Sequence, residues 1–475
     1  YPHLKLIVGN GTLGFMAQLM REGWPAELVD AWGDEDLGQA IPPEAPPPAY
    51  KSLYWQREYS KLYGYDVPMT TAYEWRGRNT QIGNIPELEQ ARLYSRDALQ
   101  ALAFEAPHIN PGLLHDVGDS YYYSRWGAGG FCHRYPLLNP KPSYVAMATL
   151  TRELDGAEFT RIVEAASPTL LVMEFAREGG FVYALWLPRG ERDVELTFAE
   201  DAELTFTDMN GNSKPLTMRD GRATVRVSAS PGYLRSAVAM EAASGGATEC
   251  EPPPADLRVV DEVSDPTRWQ TVQVPDEQLD SGFFDFPRTL GDVTVERVED
   301  EQMGRALELT LNPQPEVAWP VSRYVILQPS EPVEAPGEPT AVGLWVRGNS
   351  CWGRVLWEVE DAEGERFFSI GASEGGWSVG DWEAATFINF DGWNYLSVDP
   401  PFRHASGFYG PPQRNWLISG GNGIVDYPIR FTRLVVELRD TVLRLTEPVP
   451  VPDPTVRIHG LSVSYRARVG EEPII

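Results

Sequence analysis

The stretch MTTAYEWRGRN, residues 69–79, reads as a short buried strand that stops at a glutamate, followed by an aromatic residue and two arginines. Any strand must end somewhere, and a surface glutamate there needs no special reason. A second reading makes Glu74 a carboxylate delivered by a buried strand to the rim of a barrel. The flanking sequence decides how far that reading carries.

Residues 1–156 alternate short apolar runs with helical patterns, the signature of parallel βα units. LKLIV (4–8) predicts a strand, and GNGTLG turns into a helix with Phe15, Met16, Leu19 and Met20 on one face. Gly23 is placed to end that helix. AELVDAW (26–32) predicts a second strand, followed by a proline-rich loop through Pro48. An aromatic helix, YKSLYWQREYSKLYG, leads into a third strand at 68–73. The next helix opens with Asn84 three residues before Glu87, a capping-box spacing with Pro86 in the first turn. A fourth strand is expected within 113–123, and a helix with Tyr144, Met147, Leu150 and Leu154 on one stripe closes the region. Four such units in series fit half of an eight-fold barrel.

From residue 157 the apolar period changes to two. TLLVMEFAREGGFVYALWLP predicts a hairpin turning at Glu178-Gly179-Gly180, and the alternation continues to residue 240 as a small antiparallel β-sandwich. Residues 241–257, small, polar and rich in proline, read as a linker. Residues 258–475 carry many short alternating runs, with a turn at Asp361–Glu363–Gly364, and predict a two-sheet β-sandwich of jelly-roll type. The fold class is therefore α/β plus all-β.

Sixty-eight acidic against forty basic residues give a net charge of −28, a surface that repels nucleic acid and anionic lipid. Nothing resembles the run of about eighteen apolar residues that spans a bilayer. Cys132, Cys250 and Cys351 are too scattered for a zinc site or a disulfide framework. His108, His115 and His133 lack metal-ligand spacing, and GNGTLG lacks the lysine of a phosphate loop. No cofactor is expected. A structural calcium is compatible with a sandwich, but no ligand set can be assembled for one.

In a βα barrel the carboxyl ends of the strands face the active-site mouth. Those ends offer Asn10 and Thr12; Asp30, Trp32, Asp34 and Glu35; Glu74, Trp75 and Arg76; and Tyr123, Arg125 and Trp126. Aromatic faces stack on sugar rings while charged groups bind hydroxyls, so this set suits carbohydrate. In glycoside hydrolysis two carboxyl groups flank the scissile bond.

With these residues in view, the region resembles the C-terminal half of the clan A glycoside hydrolases, the retaining (β/α)8-barrel enzymes. PMTTAYEWRGRN is similar to that family's seventh strand, whose terminal glutamate is the nucleophile, a role the resemblance gives to Glu74. GDSYYYSRWGAGGFCHRYPLLNPKPSYVAMATLTREL is similar to the eighth strand, an aromatic sugar platform and a last helix introduced by Lys-Pro. The resemblance implies that Trp126, then Tyr123, form the platform, with Trp32, Asp34, Arg76 and Arg125 as further substrate contacts. The family's sixth strand often ends in histidine or tyrosine, and VDAWGDED departs from that. Its acid/base glutamate comes from the fourth strand. The chain starts near the fifth, so an upstream half-barrel is the expected partner.

In the last region, AVGLWVRGNS and FDGWNYLSV resemble carbohydrate-binding jelly rolls. Trp377, Trp382 and Trp416, beside loop residues, are the candidate sugar contacts there, whereas Trp393 on the Gly-Trp strand is expected in the core. The resulting reading is the nucleophile half of a retaining glycoside hydrolase acting on poly- or oligosaccharide, at the cell surface or outside the cell. The alternative is a non-catalytic carbohydrate-binding or structural surface protein on a hydrolase-like scaffold.

Overall fold

The computed structural model describes residues 4–11, 13–36, 42–45, 53–74, 86–106, 108–117, 128–276, 288–369, 386–401 and 416–465. Three parallel strands, β1 (Ile7–Gly11), β2 (Ala31–Asp36) and β3 (Met69–Glu74), form one sheet in that order. Helix α1 (Leu13–Arg21) joins β1 to β2 and α2 (Leu53–Leu62) precedes β3. Met16 and Met20, four residues apart on α1, are buried against Trp32, Tyr54 and Met69. Gly23, at φ 76°, ends α1. Its N–H donates to Met20 O at 3.1 Å and the Trp24 N–H to Leu19 O at 3.1 Å, closing the helix as a Schellman motif.

The second strand lies later than its apolar run predicts. Ala26–Leu28 form one 3₁₀ turn behind Pro25, and pairing begins only at Ala31. Trp32 thereby lies near the start of the strand, and Asp34, Glu35 and Asp36 become its carboxyl end. Of the fourth expected strand, the described part through residue 117 holds an isolated bridge, His115 to Cys132; the remainder lies outside the described residues, as does Asn84. Helix α3 (Glu87–Ala103) takes Pro86 as its N-cap, with no side-chain capping bond.

Helices α3 and α4 (Pro142–Leu154) pack on the small sandwich. Ala98, Leu99 and Leu150 share a core with Leu171, Met173, Phe175, Val182 and Trp186 of its six-stranded sheet. That sheet is thus covered on both faces, which is why Leu171–Phe175 are buried at every position rather than alternately. The facing five-stranded sheet alternates cleanly along Glu191–Phe198. The hairpin turns at Arg177–Gly180 as its sequence predicts.

The first part of the expected linker, residues 241–245, is strand. Met240–Gly245 is a sandwich strand, and Thr248 N–H donates to Asp391 O at 2.8 Å in the next sandwich. The small residues of this stretch allow close approach: a Cβ on Gly392 would lie 2.6 Å from that of Ala247.

The last region is a sandwich of a six- and an eight-stranded sheet around one apolar core. The Asp361 carboxylate closes the expected turn, accepting from the Glu363 and Glu365 N–H groups at 3.0 and 2.8 Å. The hairpin Thr441–Arg444 with Glu447–Pro450 reaches back, placing Leu443 in the core beneath the parallel strands.

Glu44 joins these units from inside the proline-rich loop. Its carboxylate, 5% exposed, sits 3.0 Å from Arg96 Nε and accepts from Trp186 Nε1 at 2.7 Å. Glu44→Ala strands a buried guanidinium and an indole N–H, and we expect about 3–5 kcal/mol of lost stability in a denaturant titration. Burial pushes the thiols of Cys250 and Cys351 up to about 11. At pH 8 roughly one in a thousand of either is thiolate. Native protein treated with iodoacetamide at pH 8 should therefore carry label first at Cys132, with Cys351 labelled only on unfolding.

Candidate active site at the carboxyl ends of the parallel strands

Glu74 is the last residue of β3, and register puts it beside Asp36 of β2, with Tyr73 beside Glu35 and Thr71 beside Asp34. Gly11 of β1 pairs with Asp34 in turn. Adjacent strands lie about 4.8 Å apart, so three consecutive acidic backbone positions on β2 abut the end of β3. Asp36 was missed from sequence, because ending the strand at residue 32 pushes it into the loop. The strand itself is well anchored: the fully buried Thr70 hydroxyl donates to His108 O.

Asp30 does not belong to this rim. It precedes β2, at the amino end of the sheet, accepting from the Leu6 N–H at 2.7 Å and from Lys5 Nζ at 3.2 Å. The Leu6 N–H, then Lys5, hold its carboxyl below the usual range. Trp32, expected as a substrate contact, is not exposed on the rim either. It is fully buried, edge-on to Tyr65 at 5.8 Å between ring centroids.

Thr12, Trp75, Arg76, Tyr123, Arg125 and Trp126 lie outside the described residues, but the two ends of the segment carrying the last three are defined. Lys141, the N-cap of α4, is 1% exposed. Its ammonium binds the buried Asp116 carboxylate and donates to Ala128 O at 3.0 Å. Asp116 also accepts the Gly130 N–H at 3.0 Å. From α3, Gln90 Nε2 donates to Ala128 O at 2.9 Å and the Tyr94 hydroxyl to Gly129 O at 2.7 Å. Gly130 has no room for a side chain, since a Cβ would lie 2.3 Å from the His115 carbonyl carbon. Residues 116 and 128–130 are thus clamped together. The only sequence signal for this clamp is the Lys-Pro that starts α4.

Around the histidines, His115 Nδ1 contacts Asp116 O at 2.8 Å and His133 lies 3.7 Å from Glu87. Among the described residues no three His, Cys, Asp or Glu side chains are grouped to hold a metal ion. In the last sandwich, Trp416 is 3% exposed and donates to Asp399 O at 3.0 Å, so it is a core residue rather than a sugar contact. Trp393 is half-buried, its indole donating to Asp300 at 3.1 Å. Trp377 and Trp382 lie outside the described residues.

No protein-family model and no curated protein matches this chain. Among solved structures, it is similar to a family 39 glycoside hydrolase from the gut symbiont Bacteroides cellulosilyticus WH2, with 18% identity, 47% of each chain covered and a TM-score of 0.39. The chain thus spans about half the length of that relative. A β-porphyranase of glycoside hydrolase family 86 from Bacteroides plebeius is 9% identical over 97% of this chain and 70% of its own, with a TM-score of 0.32. A family 11 carbohydrate-binding module of a Clostridium thermocellum cellulase covers 46% of this chain and 98% of its own at 9% identity and a TM-score of 0.24. No helix among the described residues is long and apolar enough to cross a membrane.

Removing the buried cation tests the clamp. Lys141→Met leaves Asp116 uncompensated and should lower stability by about 3–5 kcal/mol in a urea titration. Asp116→Asn/Lys141→Met, which removes both charges, should recover part of that loss.

Proposed function

We propose that this chain carries the nucleophile-bearing half of a retaining glycoside hydrolase, with Glu74 as the nucleophile. The observation that carries the reading is Glu74 at the carboxyl end of a parallel strand, in register with an acidic strand end. The carboxyl ends of parallel βα strands are where such folds place their chemistry. The carboxylate attacks the anomeric carbon and forms a glycosyl ester, which water then hydrolyses. Arg76, Asp34 and Arg125 bind hydroxyls, and Trp126 or Tyr123 stacks on the sugar ring.

A single carboxylate cannot both protonate the leaving oxygen and attack. The acid/base comes from a further half-barrel, with its carboxyl group about 5–5.5 Å from that of Glu74. The edge of the sheet suits such a partner: β1 ends it among the described residues, and Leu4, Leu6, Ile7 and Leu28 nearby are exposed. Carbohydrate is the ligand of both the strand ends and the C-terminal sandwich, and a glycan of that kind places the protein at or outside the cell surface.

The full natural protein, assayed on a polysaccharide panel, should release reducing ends, and Glu74→Gln should slow that by at least about 1,000-fold, as loss of a nucleophile does. An activated 2-deoxy-2-fluoro glycoside should leave its label on the peptide containing Glu74. Turnover that survives Glu74→Gln sinks the assignment. Glycan binding without turnover, indifferent to Glu74→Gln, supports a non-catalytic binding protein instead.

A further inference from the structure

The hairpin Thr441–Arg444 with Glu447–Pro450 belongs to the C-terminal sandwich but ends outside it. Its base is seated at home: Val442, fully buried, and Val451 lie in the apolar core of that sandwich. Its tip is seated elsewhere. Leu443 packs with Met16, Tyr54, Met69 and Phe104 in the core of the parallel-strand unit. Leu445, 2% exposed, lies in a different core, with Leu99 of α3, Leu150 of α4 and Trp186 of the small sandwich. One hairpin thus enters three cores.

Polar and aromatic contacts fix the tip further. Arg57 of α2, 389 residues away in sequence, donates from Nη2 to Thr446 O at 2.7 Å. The same guanidinium lies over the Phe104 ring, 4.8 Å from its centroid, and 5.7 Å from that of Tyr54. Tyr54 in turn meets Trp319 of the C-terminal region edge-on at 5.7 Å. Leu445 has φ 53°, a left-handed conformation that is unfavourable for a bulky residue and persists only where packing enforces it. The exchange of segments runs both ways. Ala45, from the loop between β2 and α2, is buried in the core of the C-terminal sandwich.

Domains that meet through small polar surfaces move relative to one another, whereas shared apolar cores prevent it. We propose that this hairpin is a strap by which the C-terminal sandwich holds α2 and the parallel strands in place. That sandwich is then a structural part of the unit that carries the strand-end site, and not a detachable binding module. Helix α2 precedes β3, which ends at Glu74, so slack in α2 is passed to that strand end. The inference uses no catalytic role for Glu74 and stands or falls separately from the glycosidase reading.

The test is hydrogen exchange of the full chain, resolved by mass spectrometry, in the native protein and in Leu443→Ala, Leu445→Ala and Arg57→Leu. In the two leucine variants the amides of Leu53–Leu62 and Met69–Glu74 should exchange at least about tenfold faster, because deleting a buried leucine eases local opening. Coupling is reciprocal, so Arg57→Leu, changed on α2, should speed the amides of Thr441–Pro450 by about threefold or more, the scale of one lost hydrogen bond. Amides of Ala341–Asn349, in the six-stranded sheet of the C-terminal sandwich, should keep their native rates in all three. Exchange that does not change across the contact, in either direction, overturns the strap. So does equal acceleration of Ala341–Asn349, which would make the hairpin a general stabiliser. If neither leucine variant folds, Arg57→Leu decides by the same two readings.

Discussion

A single buried carboxylate, that of Glu44, stands where the three parts of the molecule meet. It is paired with Arg96 of α3 and bonded to Trp186 of the small sandwich. Its neighbour Ala45 is buried in the core of the C-terminal sandwich. Burying an ion pair is unfavourable unless both partners are held in good geometry. Here the indole N–H fixes the carboxylate, and the Pro188 carbonyl, 3.3 Å from Arg96 Nη1, fixes the guanidinium. The loop between β2 and α2 is therefore tied to elements far along the chain, and β2 ends in the acidic positions beside Glu74.

The same economy of placement recurs elsewhere. Helix α3 is buried on most of its circumference. Its far side is the six-stranded sheet of the small sandwich, so that sandwich acts as an outer layer over the α3 side of the parallel-strand unit. Arg192 and Asp391 then tie it to the last sandwich, with Ser350 donating to the other Asp391 oxygen at 2.8 Å.

Local signals were legible where backbone chemistry alone decides. The helix stop at Gly23, the hairpin at Glu178-Gly179-Gly180 and the turn at Asp361 depend on residues within a few positions of one another. Signals that depend on distant partners were not. AELVDAW is apolar enough for a strand, but Pro25 starts a turn and pairing waits until Ala31, which moved Trp32 into the core and Asp30 to the wrong end of the sheet. Trp416 sits beside loop-forming residues, and only tertiary packing reveals it as core. Residues 241–250 have linker composition, yet their smallness is what lets two sandwiches touch. Glu44, in a proline-rich run, gives no local hint of its partners. Of the candidate site, Glu74 and Asp34 could be placed at strand ends from sequence, while the clamp of Asp116 and Lys141 spans twenty-five residues and could not.

The small sandwich is fastened on both sides, to α3 and α4 through an apolar core and to the last sandwich through Arg192 and Asp391. A close-packed body held on both faces transmits displacement instead of absorbing it, so the parallel strands and the last sandwich keep a separation set by the thickness of the domain between them.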